Sequence, residues 1–205
     1  MEERLYIYIM KRFFIPLICL VLIQTAHAQK SLLALDEHNK YIYYQVVDQP
    51  GATADSLDRK ALSFIKEFFL KGSLKRTGDT TLTLKDKFTV YSVLAFAKHE
   101  SGEIKFILTV ECKNSKYRYW LTDFVFTPYE KNRYGVFTPV NGIEIPIEKS
   151  SSHVDNKELE GYLDQTGTFC KQLGDQLKSY MLLDHPVNKK VEQQPVIKKV
   201  VTDKW

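Results

Sequence analysis

The side chains that could carry chemistry here are five histidines, three cysteines and one charged aromatic run, YRYWLTDFVFTPYEKNRYG, from Tyr117 to Gly135. Catalysis finds little to work with. No G-x-S-x-G elbow, H-E-x-x-H, C-x-x-C or Walker loop occurs. His27 lies in an N-terminal leader, and His38, His99, His153 and His185 fall in loops or the C-terminal tail, where an imidazole is ordinarily solvated. Ser150-Ser151-Ser152-His153 sets hydroxyls beside an imidazole, but adjacency in a loop does not create nucleophile–base geometry. Cys112 falls on an apolar strand face, the opposite of the electropositive, accessible setting a reactive thiolate needs. Asp123 and Glu130 could pair as carboxylates, but a strand and its following turn set no separation between them. The expectation is no catalytic site, no metal and no cofactor.

The aromatic run suits binding better. Simple alternation over Tyr117–Thr127 puts Tyr117, Tyr119, Leu121, Asp123 and Val125 on one face and Arg118, Trp120, Thr122, Phe124 and Phe126 on the other. The second set is more apolar towards its end, so Phe124 and Phe126 are expected in the core. Tyr117, Tyr119 and Asp123 are then expected on the open face, joined by Tyr41 and Tyr43. Tyrosine buries area and keeps a hydroxyl for a partner, which suits contact with protein or glycan. The competing reading is cross-strand aromatic pairing and Arg–aromatic stacking that stiffen a sheet. Arg118 and Arg133 could each pair with Asp123 or Glu130 to fix the turn at Pro128, or offer a guanidinium fork to an anionic ligand. Tyr134 completes the candidate contact set of Tyr117, Arg118, Tyr119, Asp123, Arg133 and Tyr134.

These residues need elements to hold them. YIYYQVV, Tyr41–Val47, is β-branched and aromatic and reads as a strand. Thr53 or Asp55 can cap a helix on which Leu57, Ala61, Phe64 and Phe68 recur at helical spacing, ending at Lys71-Gly72. Ser73–Lys85 contains alternating Thr-Leu-Thr-Leu, and Phe88–Ala97 reads as a further strand. Glu103–Lys113 places Ile104, Phe106, Leu108, Val110 and Cys112 on one face. Asn114-Ser115 is a turn, and Pro128 is expected to close the strand that follows it. Tyr134–Val140 and Ile143–Ile147 flank Asn141-Gly142, a strong hairpin signal. A second helix runs from Asp155 to Met181 with Leu159, Leu163, Phe169 or Cys170, Leu173, Leu177 and Tyr180 on one stripe. Gly161, Gly167 and Gly174 weaken it, each by up to ~1 kcal/mol relative to Ala when exposed, so packing on the sheet must hold it. Strand, helix, several antiparallel strands and helix make one α+β domain.

Lys11-Arg12, the apolar run Phe13–Ile23 and Ala26-His27-Ala28 form the three parts of a secretory signal, with cleavage expected after Ala28. Met10 makes a tidier start than Met1. The apolar run is shorter than the ~20 residues a spanning helix needs, so the mature chain is expected to hold no transmembrane segment. The expected organisation is a signal over 1–28, one α+β domain over 29–183 and a flexible Lys/Pro-containing tail over 184–205, with PVNKKV and PVIKKV as a loose repeat. Export permits oxidation, so Cys112 and Cys170, both expected in one core, can form a disulfide; the alternative is two small buried hydrophobes. Hydrophobic content of 44% and charged content of 26% are those of a globular chain. The net charge is only +4 with both signs interleaved, which disfavours nucleic acid as a partner.

GEIKFILTVECKNSKYRYWLTDFVFTPYEKNRYG, YIYYQVVDQPGATADSL and YLDQTGTFCKQLGDQLKSYM resemble a Bacteroidetes-type family of exported domains of unknown function with a TATA-binding-protein-like (TBP-like) fold. The resemblance spans Tyr41–Met181 and implies a curved antiparallel sheet with two helices on one face. It implies no activity, and a fold name does not import DNA binding. The leading expectation is a non-enzymatic envelope domain that binds an envelope protein or glycan through its open sheet face. The alternatives are a carrier holding a small apolar or anionic ligand between sheet and helices, and a hydrolase-type enzyme with an unrecognised site.

Overall fold

The computed structural model describes residues 32–92, 99–149 and 154–183. The expected signal segment, the triple serine with His153, and the tail lie outside the described residues. The strands are β1 Ala34–Leu35, β2 Tyr41–Asp48, β3 Ser73–Thr77, β4 Thr81–Tyr91, β5 Glu100–Lys113, β6 Lys116–Lys131, β7 Phe137–Pro139 and β8 Ile145–Pro146. The helices are α1, Ala54–Phe68, and α2, Asn156–Leu182. The sheet order is β1-β2-β6-β5-β4-β3, antiparallel at every pairing, with β7 and β8 both added to β6.

α1 forms because Thr53 accepts the Ser56 backbone N–H at 3.2 Å and Leu57, Ala61, Phe64 and Ile65 make one buried stripe. It stops at Phe68, three residues before the expected Lys71-Gly72. Gly72 serves packing instead of capping: a Cβ there would meet Leu84 Cδ1 at 2.4 Å. Asp155 caps α2 through the Lys157 N–H, and Cys170, Leu173, Leu177 and Tyr180 lie on its buried side. Both helices pack on one face of the sheet. Their joints are aromatic: Tyr162 stacks on Phe126 at 4.7 Å, Phe169 on Phe88 at 4.0 Å, and Tyr180 meets Phe64 of α1 edge-on at 5.4 Å.

Gly174 and Gly167 are close-approach sites on α2 rather than mere weak points. A Cβ on Gly174 would sit 2.5 Å from the Tyr119 hydroxyl, and one on Gly167 would sit 3.1 Å from Leu32 Cβ. The helix therefore lies directly on the tyrosines of the sheet.

The stretch Ser73–Lys85 is a hairpin, β3 turning at Gly78 into the long β4. β6 does not end at Pro128 but runs on to Lys131. Pro128 pairs with Gly102 and accepts the Val140 N–H through its carbonyl. Asn141-Gly142 is a turn, with Gly142 at φ +81°, but β7 and β8 each pair with β6 and not with each other.

Candidate functional site

The most consequential local feature is a β-bulge in β6. Lys105 faces Val125 and Ile107 faces Thr122, so Asp123 and Phe124 together oppose Phe106. Asp123 takes φ +54°, a left-handed value that aspartate tolerates better than most residues. The extra residue flips the alternation. Tyr117, Tyr119 and Leu121 point to the helices before the bulge, and Phe124 and Phe126 do so after it. At the same place β6 changes neighbour, from β2, which pairs as far as Leu121, to β8, which pairs at Val125 and Phe126.

This overturns the expected placing of Tyr117 and Tyr119 on the open face. They are 2% and 0% exposed, with Tyr43 beside Tyr119 at 6.3 Å. Tyr43 is likewise core and Tyr41 lies on the same side, so neither joins an open patch. Burial pushes the Tyr117 phenol up to about 12 and that of Tyr119 further still. The Tyr119 hydroxyl is buried with no hydrogen-bond partner of good geometry among the described residues. Phe124 and Phe126 are core as expected.

The open face is instead built by the opposite parity. Tyr44 and Val46 of β2 are 45% and 52% exposed. Tyr44 faces Trp120 across the β2–β6 ladder with rings 6.4 Å apart. The Arg118 guanidinium lies 5.4 Å from the Trp120 ring centre, a cation–π distance. Its Nε and Nη2 donate to Oε2 of Glu111 at 2.7 and 2.5 Å. Arg118 thus pairs with the residue directly opposite it on β5, not with Asp123 or Glu130. A shallow groove of about 180 Å³ runs between Tyr44, Val46, Glu111 and Arg118.

The remaining candidates are not brought to this patch. Asp123 is ion-paired with Lys40. Arg133 lies over the ring of its neighbour Tyr134 at 5.0 Å, and Tyr134 is 76% exposed in the β6–β7 turn. Neither Arg133 nor Glu130 forms an ion pair among the described residues, so the expected lock on the Pro128 turn is not made. Asn132 holds that turn, its side-chain oxygen accepting the N–H groups of Tyr134 and Val136.

Cys112 and Cys170 are both buried and both free thiols, so the expected bond between them is not formed. Cys112 sits at the far end of β5 within reach of the charges of Asp58, Glu111 and Arg76, while Cys170 lies under mid-α2 near Tyr43. Burial pushes the Cys112 thiol up to about 12 and Cys170 higher, which disfavours the thiolate at both. Asp58 is buried on α1 and held by Arg76 of β3 at 2.8 Å. On the sheet's other side, Glu103 is buried between Lys87 Nζ at 2.7 Å and the Tyr129 hydroxyl at 2.9 Å. Among the described residues no cluster of His, Cys, Asp and Glu could hold a metal ion, and no helix is long and apolar enough to cross a membrane.

Residues 43–127 match the family model described as "Domain of unknown function (DUF4468) with TBP-like fold". No curated protein matches the chain. Two solved structures are similar. One is a TBP-like protein from Parabacteroides distasonis ATCC 8503, with TM-score 0.56 and 13% identity over 74% of this chain and 97% of that one. The other is a DUF4468 family protein from Bacteroides ovatus ATCC 8483, with TM-score 0.55 and 12% identity over 75% of this chain and 92% of that one. At such identities the likeness is one of fold, and it agrees with the curved antiparallel sheet carrying two helices on one side. Residues 43–127 are thus similar to the DUF4468 family of domains of unknown function, and the chain has the TBP-like fold of those two structures.

Proposed function

We propose that the chain is an exported, non-enzymatic binding domain of the cell envelope that engages a macromolecular partner through the helix-free face of its sheet. The single observation that carries the reading is the Tyr44–Trp120–Arg118 patch with exposed Val46 beside it. Aromatic residues and arginine at the centre of a patch are the usual anchors of a protein interface. The other face is taken up by the helices, so this is the sheet surface left for a partner. Export rests on the Lys11–Ala28 pattern in the sequence.

Quantitative pull-down from an envelope extract tests the patch, with wild type compared against a Tyr44→Ala/Trp120→Ala variant. The expected result is at least tenfold lower recovery of one or more specific partners by the variant. Equal recovery of every partner would remove the patch from consideration.

A further inference from the structure

Beyond the bulge, the helix-free face carries a groove of about 560 Å³ that the aromatic patch does not use. Its walls include Lys71, Lys85, Lys87 and Lys105, and its floor includes Ile107 and Val125. Strand register explains the arrangement. Lys85 lies opposite Ile107, Lys87 opposite Lys105, and Lys105 opposite Val125, and directly opposed residues share a face. Three strands therefore surround two aliphatic side chains with ammonium groups, and the lysine methylenes extend the apolar floor.

The charges are not equivalent. Lys87 and Lys105 would repel one another, but each is neutralised from outside, by Glu103 at 2.7 Å and Glu144 at 2.6 Å. Two carboxylates also line the groove. Asp123 is ion-paired with Lys40, and Asp86 accepts the Lys87 backbone N–H at 2.8 Å. Lys71 and Lys85 have no ion-pair partner among the described residues. An apolar floor next to two uncommitted ammonium groups is complementary to a molecule with an apolar body and one anionic end.

We infer that this groove binds a small anionic amphiphile, its chain laid on Ile107 and Val125 and its carboxylate or phosphate held by Lys71 and Lys85. The inference deepens the proposed function, since it rests on the helix-free face being the binding face, and it adds a ligand class and a location distinct from the Tyr44–Trp120 patch.

The test is titration of the purified chain with decanoate, decyl phosphate and neutral decyl maltoside, each below its micelle concentration, followed by NMR and calorimetry. Saturable shifts at Ile107 and Val125 are expected with both anions, at least tenfold weaker with the neutral compound. A Lys71→Ala/Lys85→Ala variant, altered only at exposed positions, should bind the anions about tenfold more weakly, the loss of two exposed charge contacts. Preference for decyl phosphate points to a phosphorylated headgroup as the source, and preference for decanoate to a free fatty acid. No saturable shift at Ile107 and Val125, equal affinity for the neutral compound, or an unaffected double variant would overturn the inference. Partner recovery lost on Tyr44→Ala/Trp120→Ala with no amphiphile binding sinks the groove alone. Amphiphile binding with partner recovery unchanged sinks the macromolecular reading alone.

Discussion

Truncating Tyr119 to alanine is expected to destabilise the domain by about 3–5 kcal/mol, the range for removing a large aromatic from a packed core. The side chain is fully buried beneath α2, between Tyr43 and Tyr117, with ring centres 6.3 Å away on either side. Little around it can collapse to fill the space, because its neighbours are themselves large rings on a paired strand. Against a total stability of roughly 5–15 kcal/mol for a domain, much of the fold's margin would go. Had β6 kept simple alternation, Tyr119 would face solvent and the change would cost within about 0.5 kcal/mol. Tyr44→Ala, on the other parity of the neighbouring strand and 45% exposed, is the matched control and should cost well under half as much. Tyr119→Phe should be near neutral or stabilising, because the buried hydroxyl it deletes has no hydrogen-bond partner of good geometry among the described residues. Urea unfolding of the four proteins reads all of this from one set of curves.

Gly174→Ala is expected to destabilise by about 1–3 kcal/mol, the cost of overpacking a filled site. Intrinsic helix propensity predicts the reverse, a gain of up to ~1 kcal/mol in a helix interior. The packing term wins because the added methyl would lie 2.5 Å from the Tyr119 hydroxyl oxygen and 3.2 Å from Tyr43 Cε1, both attached to rings fixed in the sheet. If that oxygen is the main obstacle, Tyr119→Phe must relieve part of the cost. A double-mutant cycle of Gly174→Ala with Tyr119→Phe should therefore show a coupling of about 1 kcal/mol or more. Relief stays partial, since Tyr119 Cε2 would still be 3.3 Å away. Additive effects in the cycle would mean that α2 does not rest on Tyr119 as described.

Helix and strand identities were largely legible in the residues. Thr53 and Asp155 cap their helices as their side chains allow, and the apolar parity of β5 runs unbroken from Ile104 to Cys112. Parity failed on β6 because alternation holds only while register is continuous. The signal was present: the apolar positions run 117, 119, 121 and then 124, 126, and the step of three falls at an aspartate, a residue type that accepts φ above zero. Reading each face over the whole strand hid that step, put Tyr119 outside and put Trp120 inside. The partners of Arg118 were missed for a related reason. Proximity in sequence favoured Asp123 and Glu130, whereas the hairpin at Asn114-Ser115 sets Glu111 directly across from it. The lysine groove draws Lys85, Ile107 and Val125 from three strands and exists only once their registers are known. β7 and β8 each chose β6 over the other because the stretch of β6 past the bulge, left unpaired by β2, offers ladder hydrogen bonds to both.

The bulge at Asp123 sends Tyr117 and Tyr119 into the core and leaves Tyr44 on the helix-free face. Limited nitration of the native protein, with the modified tyrosines located by mass spectrometry, tests it most directly. Nitration needs solvent access and the phenolate, and burial denies both to Tyr117 and Tyr119. Tyr134 and Tyr44 are expected to be modified while Tyr117 and Tyr119 stay unmodified until the protein is denatured. Nitration of Tyr117 and Tyr119 in the folded protein at the rate of Tyr134 would contradict that placement.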